Sequence, residues 1–300
     1  MRDLLIIGSG PAGLSASLYA KRANLNVLVA EKEFLGTGQI VESSQVDNYI
    51  GLVGKSGYEL GEIFRQDAEK MGILFYEAKA LKITQNSGYW STEFDNGETI
   101  ESKTVIYAAG ASHKKLNVKG EDEFIGNGVS FCALCDGALY QNKTVAVVGG
   151  GDTALDDALY LSDIAQKVYV IHRRDEFRGS QKSVIQVKNT SNIQTILKAN
   201  VTEIIGDNQV ESITLDTGRK IAVDGVFIAI GMEPQTEILK EIIEIDPYGY
   251  AIADETGITK APGLFVAGDV RTKKLRQVVT AVSDGANAAV SVVDYLKSLK

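Results

Sequence analysis

The chain is poor in cysteine, proline, histidine and tryptophan: two, four, two and one in 300 residues. Two cysteines cannot staple a disulfide-rich secreted scaffold. With only His113 and His172 beside them, and no finger-like spacing, they also fall short of a structural zinc site, which needs about four ligands. No apolar run approaches the ~20 residues of a membrane span. The apolar part of the amino terminus, Met1 to Gly8, is too short for a signal peptide, so a cytoplasmic protein is expected. Positive charge is in deficit as well. A net charge of −8 argues against nucleic acid or an anionic membrane as the main partner, while leaving room for a locally basic pocket.

Glycine is abundant, with 30 residues, as suits a protein with many tight strand-to-helix turns. The 44% apolar and 23% charged composition is that of a globular chain, and the length suggests roughly two domains.

An apolar strand at the amino terminus runs into Gly8-Ser9-Gly10-Pro11-Ala12-Gly13, and a helical pattern follows. One glycine makes the sharp turn, the second admits a pyrophosphate to the backbone, and the third lets helix and strand pack closely. A second strand, Val27 to Ala30, ends in Glu31, whose carboxylate can accept a hydrogen bond from a ribose hydroxyl. The arrangement then repeats. The strand Thr144 to Val148 leads into Gly149-Gly150-Gly151-Asp152-Thr153-Ala154, a helix and the strand Val168 to Ile171. That strand ends in His172-Arg173-Arg174, with Arg178 beyond. A carboxylate there would repel a 2′-phosphate, whereas guanidinium groups bind one. The first repeat therefore suits a dinucleotide without that phosphate, and the second suits NADPH.

Three further buried strands end at glycine: Thr104 to Gly110, Gly225 to Gly231, and Gly263 to Asp269. Small residues such as Ala109, Gly110 and Gly268 allow close approach of a cofactor, and Asp269 can hold a cofactor hydroxyl. A carboxy-terminal helix is expected from about Val278 to Leu299. The first domain thus pauses near Gly110, a second is inserted, and the chain returns to finish the first.

Both cysteines lie in Phe131-Cys132-Ala133-Leu134-Cys135-Asp136-Gly137, inside the inserted domain and just before its first expected strand. A bridge across two intervening residues closes too small a loop to be a good staple. A reversible dithiol–disulfide couple fits better, with one thiol acidified at a helix start. Asp136 is then a general acid or base for sulfur, or an acidic residue stabilising a helix amino terminus; the two roles are compatible.

On these motifs, together with Arg276-Gln277 after Gly268-Asp269, the chain resembles the low-molecular-weight bacterial thioredoxin reductases over essentially its full length. The resemblance implies an α/β fold of two Rossmann-like nucleotide-binding domains of the three-layer ββα type, the second inserted into the first. The boundaries are 1–114 and 235–300 for FAD, and 115–234 for NADPH with the cysteine pair. It implies a homodimer, thioredoxin or a thioredoxin-like protein as partner, and a rotation of one domain on the other. Gly38, Gln39 and Asn48 resemble a flavin-contacting segment, and Asp269, Arg276, Gln277 and Val278 a second one. Cys135 resembles the thiol nearer the flavin, Cys132 the one that attacks the partner disulfide, and Asp136 the acid–base residue. Leu134, Ala109 and the stretch Leu35-Gly36-Thr37-Gly38 depart from the usual pattern. A ferredoxin-fed enzyme of the same fold, a small-molecule dithiol oxidase and a flavin-bearing redox sensor are the alternatives.

Overall fold

The computed structural model describes residues 1–33, 37–43 and 45–299; Leu35 and Gly36 of the unusual stretch lie outside them. Two compact units form. One comprises Met1–Val41, Lys55–Ser112 and Glu233–Lys300, the other Glu42–Gly54 and His113–Met232. The chain thus crosses between them at residues 112/113 and 232/233, beside the expected 114/115 and 234/235. The segment 42–54, read from sequence as part of the first domain, clusters with the second unit instead.

In the first unit, β1 (Arg2–Ile7) pairs in parallel with β2 (Val27–Glu31) on one side and β6 (Thr99–Tyr107) on the other. Beyond β2 lies β3 (Leu74–Glu77), and beyond β6 lie β17 (Leu264–Val266) and the antiparallel hairpin of β4 (Ala80–Gln85) and β5 (Trp90–Phe94). Both faces of β1 are buried, which is why it reads as a continuous apolar run. Leu4 and Ile6 meet α1 (Pro11–Arg22) and α6 (Val278–Ser298), while Leu5 and Ile7 pack with Trp90, Phe94 and Leu239 on the other face. Helix α2 (Gly57–Lys70) starts on a capping box. The Ser56 hydroxyl accepts from the Glu59 N–H at 3.2 Å, and the Glu59 carboxylate accepts from the Ser56 N–H at 2.9 Å.

In the second unit, the parallel sheet runs β11 (Ile193–Leu197), β10 (Lys167–His172), β9 (Thr144–Gly149), β15 (Gly225–Ala229), β8 (Val129–Ser130). Val145 and Val147 face α4 (Asp152–Ser162) and α5 (Gln181–Asn189), whereas Ala146 and Val148 face an antiparallel meander. The meander is β12 (Val201–Gly206), β13 (Val210–Leu215) and β14 (Lys220–Ala222). This is the expected three-layer arrangement. One detail differs: β8 precedes the cysteines, so the pair follows the first strand of this sheet. The loop Leu116–Val118 is held by Glu121, only 1% exposed, whose carboxylate accepts from all three backbone N–H groups. At the crossings, β7 (Ala111–His113) and β16 (Met232–Pro234) hydrogen-bond to each other.

Helices α1 and α6 approach at Gly285, where an added Cβ would stand 2.0 Å from the Ala12 carbonyl oxygen. Gly285→Ala gains at most about 1 kcal/mol of helix propensity. Forcing two backbones apart costs roughly 1–3 kcal/mol. The variant is therefore expected to unfold at lower denaturant than the parent, measured by helical circular dichroism.

Candidate active site

The first phosphate loop joins β1 to α1. Gly8 has φ +111°, and a Cβ there would lie 2.4 Å from the Ala108 oxygen; at Gly13 it would lie 1.8 Å from the Gly8 oxygen. Both glycines are therefore demanded by the fold. Gly10 is not: its nearest neighbour to an added Cβ is 3.7 Å away. Gly38, with φ +79°, stands against it: a Cβ there would lie 3.4 Å from the Gly10 Cα. Next to Gly38, the Gln39 amide nitrogen Nε2 is buried without a hydrogen-bond partner. Bare backbone at the α1 amino terminus and an orphaned donor beside it fit a phosphate-bearing ligand. Ser9 and Ala12 are buried in the same turn, and Pro11 starts the helix, where no N–H is needed.

Glu31 ends β2 as expected, but it is not alone. Arg65 of α2 donates through Nη1 to both of its carboxylate oxygens, at 2.8 and 2.7 Å. The side chains are 6% and 2% exposed, and the guanidinium lies over the Phe75 ring at 3.3 Å. Arg65 neutralises a carboxylate that burial would otherwise disfavour, and leaves lone pairs for a hydroxyl.

On the same edge of the sheet, Gly268 (φ +79°) follows β17, Gly110 (φ +70°) follows β6 with Ala109 before it, and Gln277 and Val278 open α6. Arg276 lies 3.9 Å over Tyr250, with Nε buried and unpartnered. Asp269 Oδ1 forms an ion pair with Lys273 Nζ at 3.1 Å, outside hydrogen-bond geometry. Burial pushes the Asp269 carboxyl up, against the pull of Lys273 and Arg276. Asn48 is exposed and belongs to the segment that clusters with the second unit.

The second phosphate loop repeats the steric pattern. A Cβ at Gly149 would lie 2.3 Å from the Ala229 oxygen and 2.7 Å from the Ala154 Cβ, whereas Gly151 faces open space. The middle glycine makes room for His172, whose ring would stand 2.2 Å from a Cβ at Gly150. His172 is buried against Phe177, and burial first, then the Arg178 charge, pushes its pKa below the usual 6.5. It is neutral at pH 7, so it props the loop and lends no charge to a phosphate. Arg173, Arg174 and Arg178 are exposed, and among the described residues none forms an ion pair. Three unpaired guanidinium groups on an acidic protein fit a phosphate. The Arg178 N–H donates to the Gly150 oxygen at 2.7 Å, and the Ser180 N–H to Asp152 Oδ1 at 2.6 Å, latching the basic segment onto the loop. Asp152 is thereby committed to the latch, while Thr153 is exposed beside it.

Cys132 and Cys135 form a disulfide, with Cα atoms 5.3 Å apart. Cys132 caps the short helix α3 (Ala133–Asp136), its Sγ accepting from the Cys135 N–H at 3.2 Å. Ser130 organises the other side. Its hydroxyl donates to Asp136 Oδ2 at 2.6 Å and accepts from the Cys132 N–H at 3.1 Å. Asp136 Oδ1 is buried without a partner, and burial raises the carboxyl pKa despite the Ser130 hydrogen bond. An unpartnered oxygen on a carboxyl with a raised pKa can hold a proton and give it up. Leu134 between the cysteines is 51% exposed.

The sequence profile of the pyridine nucleotide-disulphide oxidoreductases matches residues 2–285. The chain belongs to the pyridine nucleotide-disulphide oxidoreductase family. A thioredoxin reductase of Helicobacter pylori (strain J99) is 41% identical over 310 residues, covering 99% of both chains. One of Mycoplasma genitalium is 40% identical over 299 residues, covering 97% of this chain and 94% of its own. The crystal structure of thioredoxin reductase from Streptococcus pyogenes superposes with a TM-score of 0.94 at 39% identity, covering 99% of each chain. In this pyridine nucleotide-disulphide oxidoreductase, sequence reasoning missed Arg65, Ser130, Lys273, Asp284 and the Arg178–Ser180 latch. Arg65, Asp284 and the latch act through partners that only the fold brings near; Ser130, six residues from Asp136, and Lys273, four from Asp269, were within reach of inspection.

His113 of β7 stacks on Phe131 beside the disulfide, with centroids 4.7 Å apart and planes at 16°. Burial pushes its pKa from 6.5 to about 4. The unfolded chain takes up this proton below pH 6.5 and the folded chain only below about 4. Stability is therefore whole above pH 6.5 and falls by roughly 3 kcal/mol as pH drops to about 4. His113→Phe is expected to remove that slope, measured as urea unfolding of the second unit at pH 7 and pH 4.5.

Proposed function

We propose that the chain is an NADPH-dependent thioredoxin reductase, a cytoplasmic homodimer with FAD in the domain made of residues 1–114 and 235–300 and NADPH in residues 115–234. The observation that carries this is the Cys132–Cys135 disulfide, set beside a half-buried, half-partnered Asp136 in the same unit as an unpaired arginine cluster. The full-length likeness to proteins named thioredoxin reductase supports the acceptor. When bound, FAD supplies the two-electron relay between nicotinamide and disulfide. The α1 amino terminus, Gly10 and Gly38 hold its pyrophosphate, Glu31 a ribose hydroxyl, and Gln39, Asp269, Arg276, Gln277 and Val278 the rest of its length. Arg173, Arg174 and Arg178 hold the 2′-phosphate of NADPH.

Two electrons and two protons convert the disulfide to the Cys132 and Cys135 thiols, Cys135 being the sulfur reached first. Cys132, as thiolate, attacks one sulfur of the thioredoxin disulfide. A mixed disulfide forms and the other thioredoxin sulfur leaves, taking from Asp136 the proton that Asp136 accepted from the Cys132 thiol. Cys135 then attacks the Cys132 sulfur and displaces the bound thioredoxin sulfur, to which its own proton passes, which restores the internal disulfide and frees thioredoxin as a dithiol.

An anaerobic titration following flavin absorbance tests the donor. NADPH is expected to bleach the flavin and deliver more electrons than the flavin alone can hold. An oxidised flavin after excess NADPH would exclude this donor. Replacing Arg173 and Arg174 by Ala together should raise the KM for NADPH by about tenfold or more while leaving that for NADH within about twofold, since two charge-assisted contacts are lost. Cys135→Ser and Cys132→Ser identify the attacking sulfur. A mixed disulfide with thioredoxin is expected with Cys135→Ser; its appearance only with Cys132→Ser reverses the two roles, and its absence from both removes thioredoxin as acceptor.

A further inference from the structure

The Asp269 side chain stands at the edge of a buried ionic cluster that the reaction itself does not use. Asp284 of α6, 4% exposed, is its centre. Asp284 Oδ2 accepts from the Gly268 backbone N–H at 3.0 Å, from Arg271 Nε at 2.9 Å and from Lys273 Nζ at 3.1 Å, while Oδ1 accepts from Arg271 Nη2 at 2.5 Å. Lys273 Nζ also lies 3.1 Å from Asp269 Oδ1. The Lys273 side chain is 6% exposed, and a lysine so buried is stable as a cation only between carboxylates. One oxygen of Asp269 is therefore turned inward, while 22% of that side chain remains exposed.

We propose that Lys273, anchored by Asp284, is a positioning residue for flavin binding: its contact keeps the inward-turned Asp269 carboxylate charged, ready to receive a hydroxyl of the dinucleotide. The inference rests on the assignment of flavin to this unit. The cluster fixes both parts of the Gly268-Asp269 turn, the backbone through Asp284 and the side chain through Lys273. The charged and titratable groups facing Asp269 are Lys273, Arg276, Asp284 and Tyr250, with Arg271 behind Asp284. Of these, Lys273 and Arg276 oppose the burial that pushes the Asp269 carboxyl up. Arg276 is held over Tyr250, so Lys273 is the cation in contact with the carboxylate. Without it the carboxyl takes up a proton as pH falls and loses its charge-assisted bond to the ligand.

The test is flavin retention by the full-length holo-protein, read as the fluorescence of flavin released on dilution at pH 5.5, 7.0 and 8.5. The parent is expected to hold flavin equally across the range. Lys273→Met is expected to match it within about twofold at pH 8.5 and to bind roughly tenfold more weakly at pH 5.5, the value of one charge-assisted contact. Lys273→Arg should restore the flat profile. Asp284→Asn, which frees Lys273, should weaken binding in the same pH-dependent sense. Equal retention by Lys273→Met and the parent at all three pH values overturns the inference. So does uniform weakening at all three, which is the mark of a packing defect. If Lys273→Met does not fold, a flat Asp284→Asn profile overturns it alone. A parent that holds no flavin at any pH overturns the functional assignment as well, and so separates the two failures.

Discussion

A helix can follow a parallel strand this closely only where no side chain stands between them. At Gly13 the Gly8 carbonyl oxygen occupies the place of a Cβ, and at Gly8 and Gly149 the intruder is the carbonyl of a neighbouring strand. These contacts draw α1 and α4 down onto their sheets and leave the first N–H groups of each helix at the sheet's carboxyl edge. The rest of the ligand machinery is arranged on that edge. The ends of β2 and β10 carry the residues proposed to distinguish one dinucleotide from another, and the ends of β6 and β17 bring small residues to the same rim. The second glycine of each loop is the informative one, because the fold does not require it: Gly10 and Gly151 are bare where a side chain would fit.

Buried charge obeys one rule in both units: a charge leaves water only against a partner. Glu31 has Arg65, Glu121 has three backbone N–H groups, and Asp284 has Arg271 and Lys273. The half-buried Asp136 departs from it. One of its oxygens is satisfied by Ser130 and the other by nothing, beside a disulfide. Isolated buried polar atoms of this kind are rare, and the cost is tolerated where the group has to change protonation state.

What could be read in the chain was what is local. Each strand, glycine turn and helix of the two phosphate-binding units is encoded within a dozen or so residues, so β1, α1, β2 and β9, α4, β10 were all legible. The dithiol spacing and Asp136 were legible for the same reason. The meander β12–β14 was not, because its short alternating strands have meaning only against the sheet they cover. Arg65 lies 34 residues from Glu31, and Asp284 lies 13 from Arg271. Nothing in their own neighbourhoods marks them. His172 was legible by position but not by state: it is a buried imidazole that props the loop at Gly150, and the positive charge comes from the arginines after it.

The ends of β2 and β10 differ in what they ask of the fold. Glu31 is locked to Arg65 in the interior, so any change there disturbs packing and charge together. Arg173, Arg174 and Arg178 are solvent-exposed and bound by no ion pair among the described residues. On the proposed assignment, nucleotide preference in the first unit is therefore welded to stability, while in the second it is detachable. On that assignment, drift or design would exchange the coenzyme of the inserted unit at three surface positions, whereas the ligand of the other unit is inherited with its core.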